Sequence, residues 1–572
     1  MLAFHPSWPV PGTINPAIAW IGGQGRALSH PPLYHLLVSL PLRASAELDV
    51  FSQLRLARGV SLLFFLATIL AISMTIRTIT PAGHVLRWLV PLIATLIPSF
   101  VNTMTSVNND AGAVLAVSLF LWVVSKATVS GLTVRRAVAI IGLAVLAGAV
   151  KNTSLVVLPL TPIILLVIVW SQRKWRWRSL AVLTVPSMCI AAIVVGASVL
   201  VWGDPAKWYR YGGIPGDAPA RVTASNHRVH GNYVFRLLPS STFFDRYSGL
   251  SMPVPLSQIP SITGRHITVG AWMWASRPAQ IAGVGVLYTE GTDPIHLHSI
   301  TPIVDVDTTP RFVAMTLETA RWLTSLQVFI PAPALAASEE PIELFVDGVI
   351  LVKGSFEGSD PPQLDRSATR VFWNGQEAVN LVRNPSAEES WPYLRSAVEQ
   401  NLRPIVMRSI SRLFTSLIDA GRTMPMALHV LPELSHRSFV AFGAQGEVVM
   451  PGEEWHTFFL VFWLIVTAGT LRRLSQIRLD QSCYVVIFII ALVGAIIWIN
   501  TIFRYLPGLA PIWTPYPRYG FPAIIPLVLA LATGWLAWWP PHRRSHAIAA
   551  LIVALLMLNA VAYATIWWHW YV

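Results

Sequence analysis

Charge is scarce in this chain. Only 12% of its 572 residues are Asp, Glu, Lys or Arg, whereas 54% are hydrophobic, and an ordinary soluble domain carries about twice that charge density. A soluble single-domain enzyme is thereby excluded. Cysteine is scarcer still, with Cys189 and Cys483 both lying in or at apolar runs, so neither a disulfide framework, a zinc cluster nor a haem attachment motif can be built. A secretory signal is also missing: the first thirty residues carry three prolines by position 11, no basic n-region and no continuous apolar h-region.

What the sequence does have is apolar length. Runs of roughly 18 to 25 residues recur and convert much of the chain into membrane spans. The pattern predicts a polytopic α-helical membrane protein with ten spans, near 59–76, 85–101, 110–125, 136–150, 153–170, 180–202, 457–471, 482–501, 520–540 and 546–570. Basic residues crowd alternate loops: Arg77 and Arg87; Lys126, Arg135 and Arg136; Arg173, Lys174, Arg176 and Arg178; Arg472, Arg473 and Arg478; Arg543 and Arg544. Such loops stay on the cytoplasmic side. These fourteen basic residues stand against one acidic residue, Asp480, so the loops alone carry the formal net charge of +13 and the remainder is balanced. The excess positive charge therefore reports orientation and implies no nucleic-acid partner; membrane lipids are the first partner.

The same charge map places residues 1–58 outside, because the span at 59 runs inward. Residues 33–42 are too short to cross a membrane and contain Pro41, which predicts a juxtamembrane helix. An outer N-terminal segment with no signal of its own leads to the expectation of a further transmembrane helix upstream.

Between 203 and 395 the long apolar runs stop. Alternating β-branched and aromatic residues in His266–Ala275, and the stretch Pro341–Val352 with Asp347-Gly348 read as a hairpin turn, predict an inserted all-β sandwich or jelly roll on the extracytoplasmic side. Trp272, Trp274, Trp322 and Trp373 have the stacking surface that a sugar ring needs, but alternating tryptophans in a sandwich strand are first of all core. Residues 396–456 carry apolar positions three and four apart, the pattern of interfacial amphipathic helices. The expected organisation is thus an outer segment (1–58), an N-terminal membrane module of six spans (59–202), the sandwich (203–395), the interfacial segment (396–456) and a C-terminal membrane module of four spans (457–572).

Four polar clusters fall on the outer face under this topology. Ser29-His30-Pro31-Pro32-Leu33-Tyr34 opens the juxtamembrane helix; Asn108-Asn109-Asp110 begins the third span; Lys151 separates two spans almost without a loop; Tyr516-Pro517-Arg518-Tyr519 opens the ninth. A carboxylate beside two cations at headgroup depth suits transfer from a lipid-linked phosphosugar: the cations neutralise the leaving phosphate and the carboxylate acts as base on the acceptor. Each residue also has a plainer role, as snorkelling Lys151 and Arg518 or as a helix cap at Asp110.

"SHPPLYHLL", "SVNNDAGAVLAVSLFLW", "GLAVLAGAVKNTSLVVLPL" and "PRYGFPAIIPLVLALATG", in that order, resemble the membrane module of the GT-C glycosyltransferases related to protein O-mannosyltransferases and lipid A aminoarabinose transferases. "RSFVAFGAQGEVVMPGEEW" is similar to a stretch before a late span of bacterial relatives, with Val440 in place of a tryptophan. In the β region, "ITVGAWMWA", "IELFVDGVILVKG" and "NLVRNPSAEE" resemble strands of carbohydrate-binding modules.

The first resemblance implies a polyprenyl-phosphate-linked sugar donor and an inverting transfer to a glycan, lipid or protein acceptor. It implies a catalytic role for Asp110 and substrate-binding roles for His30, Tyr34, Asn109, Lys151, Arg518 and Tyr519. It leaves a divalent cation possible, since some members use one. One departure is large: relatives carry their principal catalytic Asp in the first outer loop, whereas residues 1–58 contain only Glu47 and Asp49, both after the Pro-Pro motif. The readings are therefore an inner-membrane glycosyltransferase, a degenerate membrane-anchored carbohydrate-binding protein, or a lipid-linked glycan transporter; spans almost free of charge count against the last.

Overall fold

The computed structural model describes residues 33–45, 47–172, 202–211, 220–223, 227–239, 249–290, 293–333, 341–356, 360–392, 419–442, 448–450, 452, 454–476, 480–503 and 516–571. It comprises an apolar helical module in two chain segments, with helices long enough to cross a membrane, and a β-sandwich between them. The expected span at 180–202, the loop Arg173–Arg178, Cys189 and His30 lie outside the described residues, residue 202 excepted.

The N-terminal segment folds as α1 (Leu33–Ala44), α2 (Val50–Ile79), α3 (Leu86–Leu96), α4 (Pro98–Thr105), α5 (Asn109–Ser130), α6 (Val134–Val150) and α7 (Val157–Gln172). After the sandwich come α8 (Ala420–Val440), α9 (Glu454–Gln476), α10 (Gln481–Phe503), α11 (Ile524–Leu536) and α12 (Arg544–Tyr571). The expectation of ten spans is corrected. Among the described residues six helices are long and apolar enough to cross a membrane, or seven if the pair α3 and α4 counts as one.

The shortfall has local causes. The stretch 85–101 is broken at Ile97, whose extended backbone is what a following proline requires, and α3 and α4 diverge by 72°. α6 and α11 have only 17 and 13 residues. Close packing compensates for the short α11: a Cβ on Gly469 of α9 would collide with the Gly534 carbonyl oxygen, so glycine lets the two backbones touch.

Described residues from several of the basic stretches meet at one end of the bundle. His84, between α2 and α3, is lowered from its ordinary pKa by burial and by the neighbouring Arg473, Arg544 and Arg87, which stand at the ends of three different helices. Nearby in the fold Cys483 Sγ faces the Ile79 carbonyl at 4.0 Å. Gln172 at the end of α7 accepts from the Leu132 amide at 3.0 Å and donates to the Ala127 carbonyl at 2.8 Å. The starts of α5 and α7, and the segment before α11, consequently lie towards the other end.

The inserted domain is a sandwich of two five-stranded antiparallel sheets. Its strands are β1 (Tyr209–Tyr211), β2 (Arg221–Thr223), β3 (Tyr233–Leu237), β4 (Gly249–Pro253), β5 (His266–Ala275), β6 (Gly285–Glu290), β7 (Asp293–Ile300), β8 (Arg311–Glu318), β9 (Leu323–Pro331) and β10 (Leu344–Lys353). Strand order is β8-β5-β10-β3-β2 in one sheet and β1-β4-β9-β6-β7 in the other. Ile267, Val269, Ala271 and Met273 of β5 face the core between the sheets. The opposite face of β5 is covered by a small three-stranded sheet (Gln363–Leu364, Arg370–Trp373, Gln376–Val379), with Phe312 wedged between Trp272 at 4.6 Å and Trp373 at 5.3 Å. Trp272, Trp274 and Trp373 are buried as packing residues, while Trp322 is 67% exposed. Trp202–Pro205 pairs antiparallel with Ser390–Pro392, so the chain enters and leaves the domain side by side.

The expected hairpin at Asp347-Gly348 is also corrected. Leu344–Lys353 is one continuous strand along β5, with a bulge between Asp347 and Ile350 where Gly348 takes φ +56°. The extra residue turns the Asp347 carboxylate inward, where it accepts from the amides of Val229 (2.9 Å), His230 (2.8 Å) and Gly348 (2.7 Å) and ties down a neighbouring loop.

Candidate functional site

Asn108 is the residue that caps α5. Its Oδ1 accepts from the amides of Asp110 at 2.8 Å and Ala111 at 3.3 Å, satisfying the free donors of the first turn. Asp110 is thereby released from the capping role that its position allowed. Its carboxylate turns into the bundle and forms an ion pair with Lys151.

Lys151 arrives there by a sharp change of direction. It ends α6 with an extended backbone (φ −155°, ψ 133°), and a single turn of 3-10 helix, Asn152–Val156, leads straight into α7. Gly148 permits this closure, since a Cβ there would lie 2.6 Å from Leu155 Cδ1. Asp110 is 1% exposed and Lys151 2%, an arrangement that costs several kcal/mol of desolvation per ion unless the charges are matched.

Arg518 supplies a second cation. The 3-10 turn Pro517–Tyr519 precedes α11 and is seated on α10, where Gly520 lies so close to the Trp498 ring that a Cβ would come within 2.6 Å. From this turn Arg518 Nε reaches within 3.8 Å of Asp110 Oδ2. Its guanidinium carbon stands 5.2 Å from the ring centres of both Tyr516 and Tyr519, and Lys151 Nζ lies 4.7 Å over the Tyr519 ring. Two cations, one carboxylate and two aromatic faces thus meet at one site, buried at Asp110 and Lys151 and partly exposed at Arg518.

The remaining expected residues are placed as follows. Tyr34 is fully buried; its ring packs where a Gly112 Cβ would stand, at 3.4 Å, and its hydroxyl is 2.8 Å from Ser61 Oγ. It lies beside the start of α5 and supports it. Asn109 is buried, and its Nδ2 has no hydrogen-bond partner among the described residues; Thr153 Oγ1 and Ser154 Oγ, just after Lys151, are likewise unsatisfied there. Orphaned buried polar atoms flanking both members of an ion pair are rare in finished packing.

Two contributors have no role assigned from the sequence: Tyr516, named there only as part of its cluster, as a ring beneath Arg518, and Ser61 behind Tyr34. Only the aromatic residues on both sides of Pro517-Arg518 hinted at the first, and nothing at the second. Asp49, one of two acidic residues in the outer segment, is a helix cap: its Oδ1 accepts from the amides of Phe51 (2.9 Å) and Ser52 (3.1 Å) at the start of α2. A divalent cation does not fit the site. Asp110 is its single carboxylate and already faces two cations, and no cluster of three His, Cys, Asp or Glu side chains suited to a metal occurs among the described residues.

No family model matches the chain, and no curated protein does. Similar solved structures are carbohydrate-binding modules. The CBM22-1 xylan-binding domain of Paenibacillus barcinonensis Xyn10C is 13% identical over 27% of this chain and 90% of its own, with a TM-score of 0.20. The module TmCBM61, in complex with β-1,4-galactotriose, is 16% identical over 27% of this chain and 92% of its own, with a TM-score of 0.16. The CBM22-1-GH10 modules of Clostridium thermocellum xylanase 10B, complexed with xylohexaose, are 10% identical over 27% of each chain, with a TM-score of 0.20.

Proposed function

We propose that this chain is an inner-membrane glycosyltransferase that takes a sugar from a polyprenyl-phosphate-linked donor and passes it to an envelope glycan, glycolipid or protein on the extracytoplasmic face. The observation that carries the reading is the trio of buried Asp110, buried Lys151 and partly exposed Arg518, gathered from three distant parts of the chain with two cations around one carboxylate. Two cations gathered around one carboxylate favour a further anion, and a phosphate at headgroup depth is the anion a membrane provides.

The chemistry follows from what these side chains can do. Lys151 and Arg518 hold the donor phosphate and stabilise the charge that develops on it as the bond to the sugar breaks. As the phosphate draws Lys151 away, the Asp110 carboxylate becomes free to accept the proton of the attacking acceptor hydroxyl. Tyr519 and Tyr516 keep the two cations in place from below, and Asn109 with Thr153 and Ser154 offers the unsatisfied polar atoms that a sugar or phosphate needs. The sandwich, whose ends meet beside the membrane module, positions the acceptor.

The second reading, a membrane-anchored carbohydrate-binding protein without transfer activity, is favoured by one observation: Asp49 is occupied as a helix cap. Sugar transfer from a labelled polyprenyl-phosphate donor, measured in membranes containing the chain, separates the two. Under the enzyme reading Lys151→Met and Asp110→Asn each lower turnover by about a hundredfold or more. Donor retention without any transfer selects the second reading, and turnover unaffected by either substitution removes the site assignment.

A further inference from the structure

A second surplus of buried positive charge lies where the sandwich meets the membrane module. Asp419, just before α8, is fully engaged: Arg383 of the sandwich grips it with two bonds of 3.1 and 3.0 Å, and the Tyr209 hydroxyl donates to Oδ2 at 2.8 Å. Arg422, one turn further on, comes no closer to that carboxylate than 3.7 Å and lies over the Tyr209 ring at 5.0 Å. It is only 7% exposed, and neither Nη1 nor Nη2 has a hydrogen-bond acceptor among the described residues. Two guanidinium groups therefore share one carboxylate that is already saturated by the other. A buried guanidinium with unused donors is costly and its planar fork matches a phosphate.

Arg422 lines a cleft of about 120 Å³ whose walls are otherwise mostly apolar, including Pro253 at the end of β4, Leu256 just beyond it, Leu326 of β9, and Pro425 and Met426 of α8. The cleft stands at membrane level, because Met426 and Val430 pack with Phe503, the last residue of the apolar helix α10. The geometry points to an anion site at Arg422 that takes the phosphate of a lipid headgroup, with the apolar walls receiving the adjoining part of the molecule. This site is separate from Asp110, Lys151 and Arg518, and does not depend on the transferase reading.

The test is equilibrium binding of a fluorescent short-chain phosphatidic acid to the full chain in neutral detergent, with phosphatidylcholine of the same chains as control and inorganic phosphate as competitor. Arg422→Gln is expected to weaken phosphatidic acid by about tenfold, the loss of one charge-assisted contact. Arg422→Lys, which keeps the charge without the fork, retains part of the affinity. Asp419→Asn removes the competing carboxylate and tightens binding, a gain that misfolding cannot imitate. Inorganic phosphate that competes at the lipid's own concentration makes a free anion the ligand and overturns the lipid assignment. Equal binding of the wild type and Arg422→Gln, or of phosphatidic acid and phosphatidylcholine, overturns the site.

Discussion

Asn559, in the middle of the last helix, donates its Nδ2 to the Leu96 carbonyl at 2.7 Å. Leu96 is the last residue before the break between α3 and α4, where the turn into Pro98 leaves helix carbonyls without their usual partners. With no water in a bilayer core, such a group must be satisfied by protein. A polar residue in an otherwise apolar helix is thus explained by a bend more than 450 residues away. Asn559→Leu is expected to cost about 1–3 kcal/mol, read as a lower unfolding midpoint in detergent; an unchanged midpoint would show that the bend is held by other means.

Lys151→Met alone leaves Asp110 buried beside Arg518 with half of its compensation gone, and removing one partner of a buried pair costs about 3–5 kcal/mol. The double variant Asp110→Asn with Lys151→Met removes both charges. It should recover much of that loss, so the coupling in a double-mutant cycle exceeds about 1 kcal/mol. Additive losses would mean that the pair contributes nothing as a pair.

His436 lies fully buried, stacked on Phe459 and 5.1 Å from His456. Burial first, then the nearby charges of His456 and Arg437, pushes its pKa down from 6.5 to about 4. The unfolded chain therefore binds a proton at a higher pH than the folded one, so the stability contributed by neutral His436 is complete above about 6.5 and is lost as pH falls towards about 4. The slope is at most about 1.4 kcal/mol per pH unit. His436→Phe should flatten this part of the profile; a profile identical to wild type would remove His436 as its source.

Gly348 is required at the bulge in β10. An added Cβ would meet the Trp272 ring at 2.8 Å on a backbone already at φ +56°, so Gly348→Ala combines overpacking with strain and should lower stability by about 1–3 kcal/mol. Circular dichroism of the sandwich signal on heating measures it. A neutral substitution would indicate that the bulge can slide along the strand.

The amphiphilic division of the chain was legible before any coordinates. Long apolar runs, basic residues in alternate loops and alternating strands in the middle need only composition and period, because burial in lipid, membrane potential and the pleat of a sheet act on each segment separately. Asp110, Lys151 and Arg518 could be placed at one face by that argument, since all three stand at span ends of the same polarity.

Tertiary structure alone decided the rest. Asp347-Gly348 has the local chemistry of a turn, yet the strand runs on because the neighbouring strand β5 continues alongside it and Asp347 has amides to receive it. The stretch 85–101 has the hydropathy of one span, but Pro98 and the Asn559 amide make two helices of it. Asp110 could have capped its own helix; Asn108 took that place, and the freed carboxylate met a lysine 41 residues further on. In each case two outcomes were locally equivalent, and a partner distant in the chain lowered the energy of one of them.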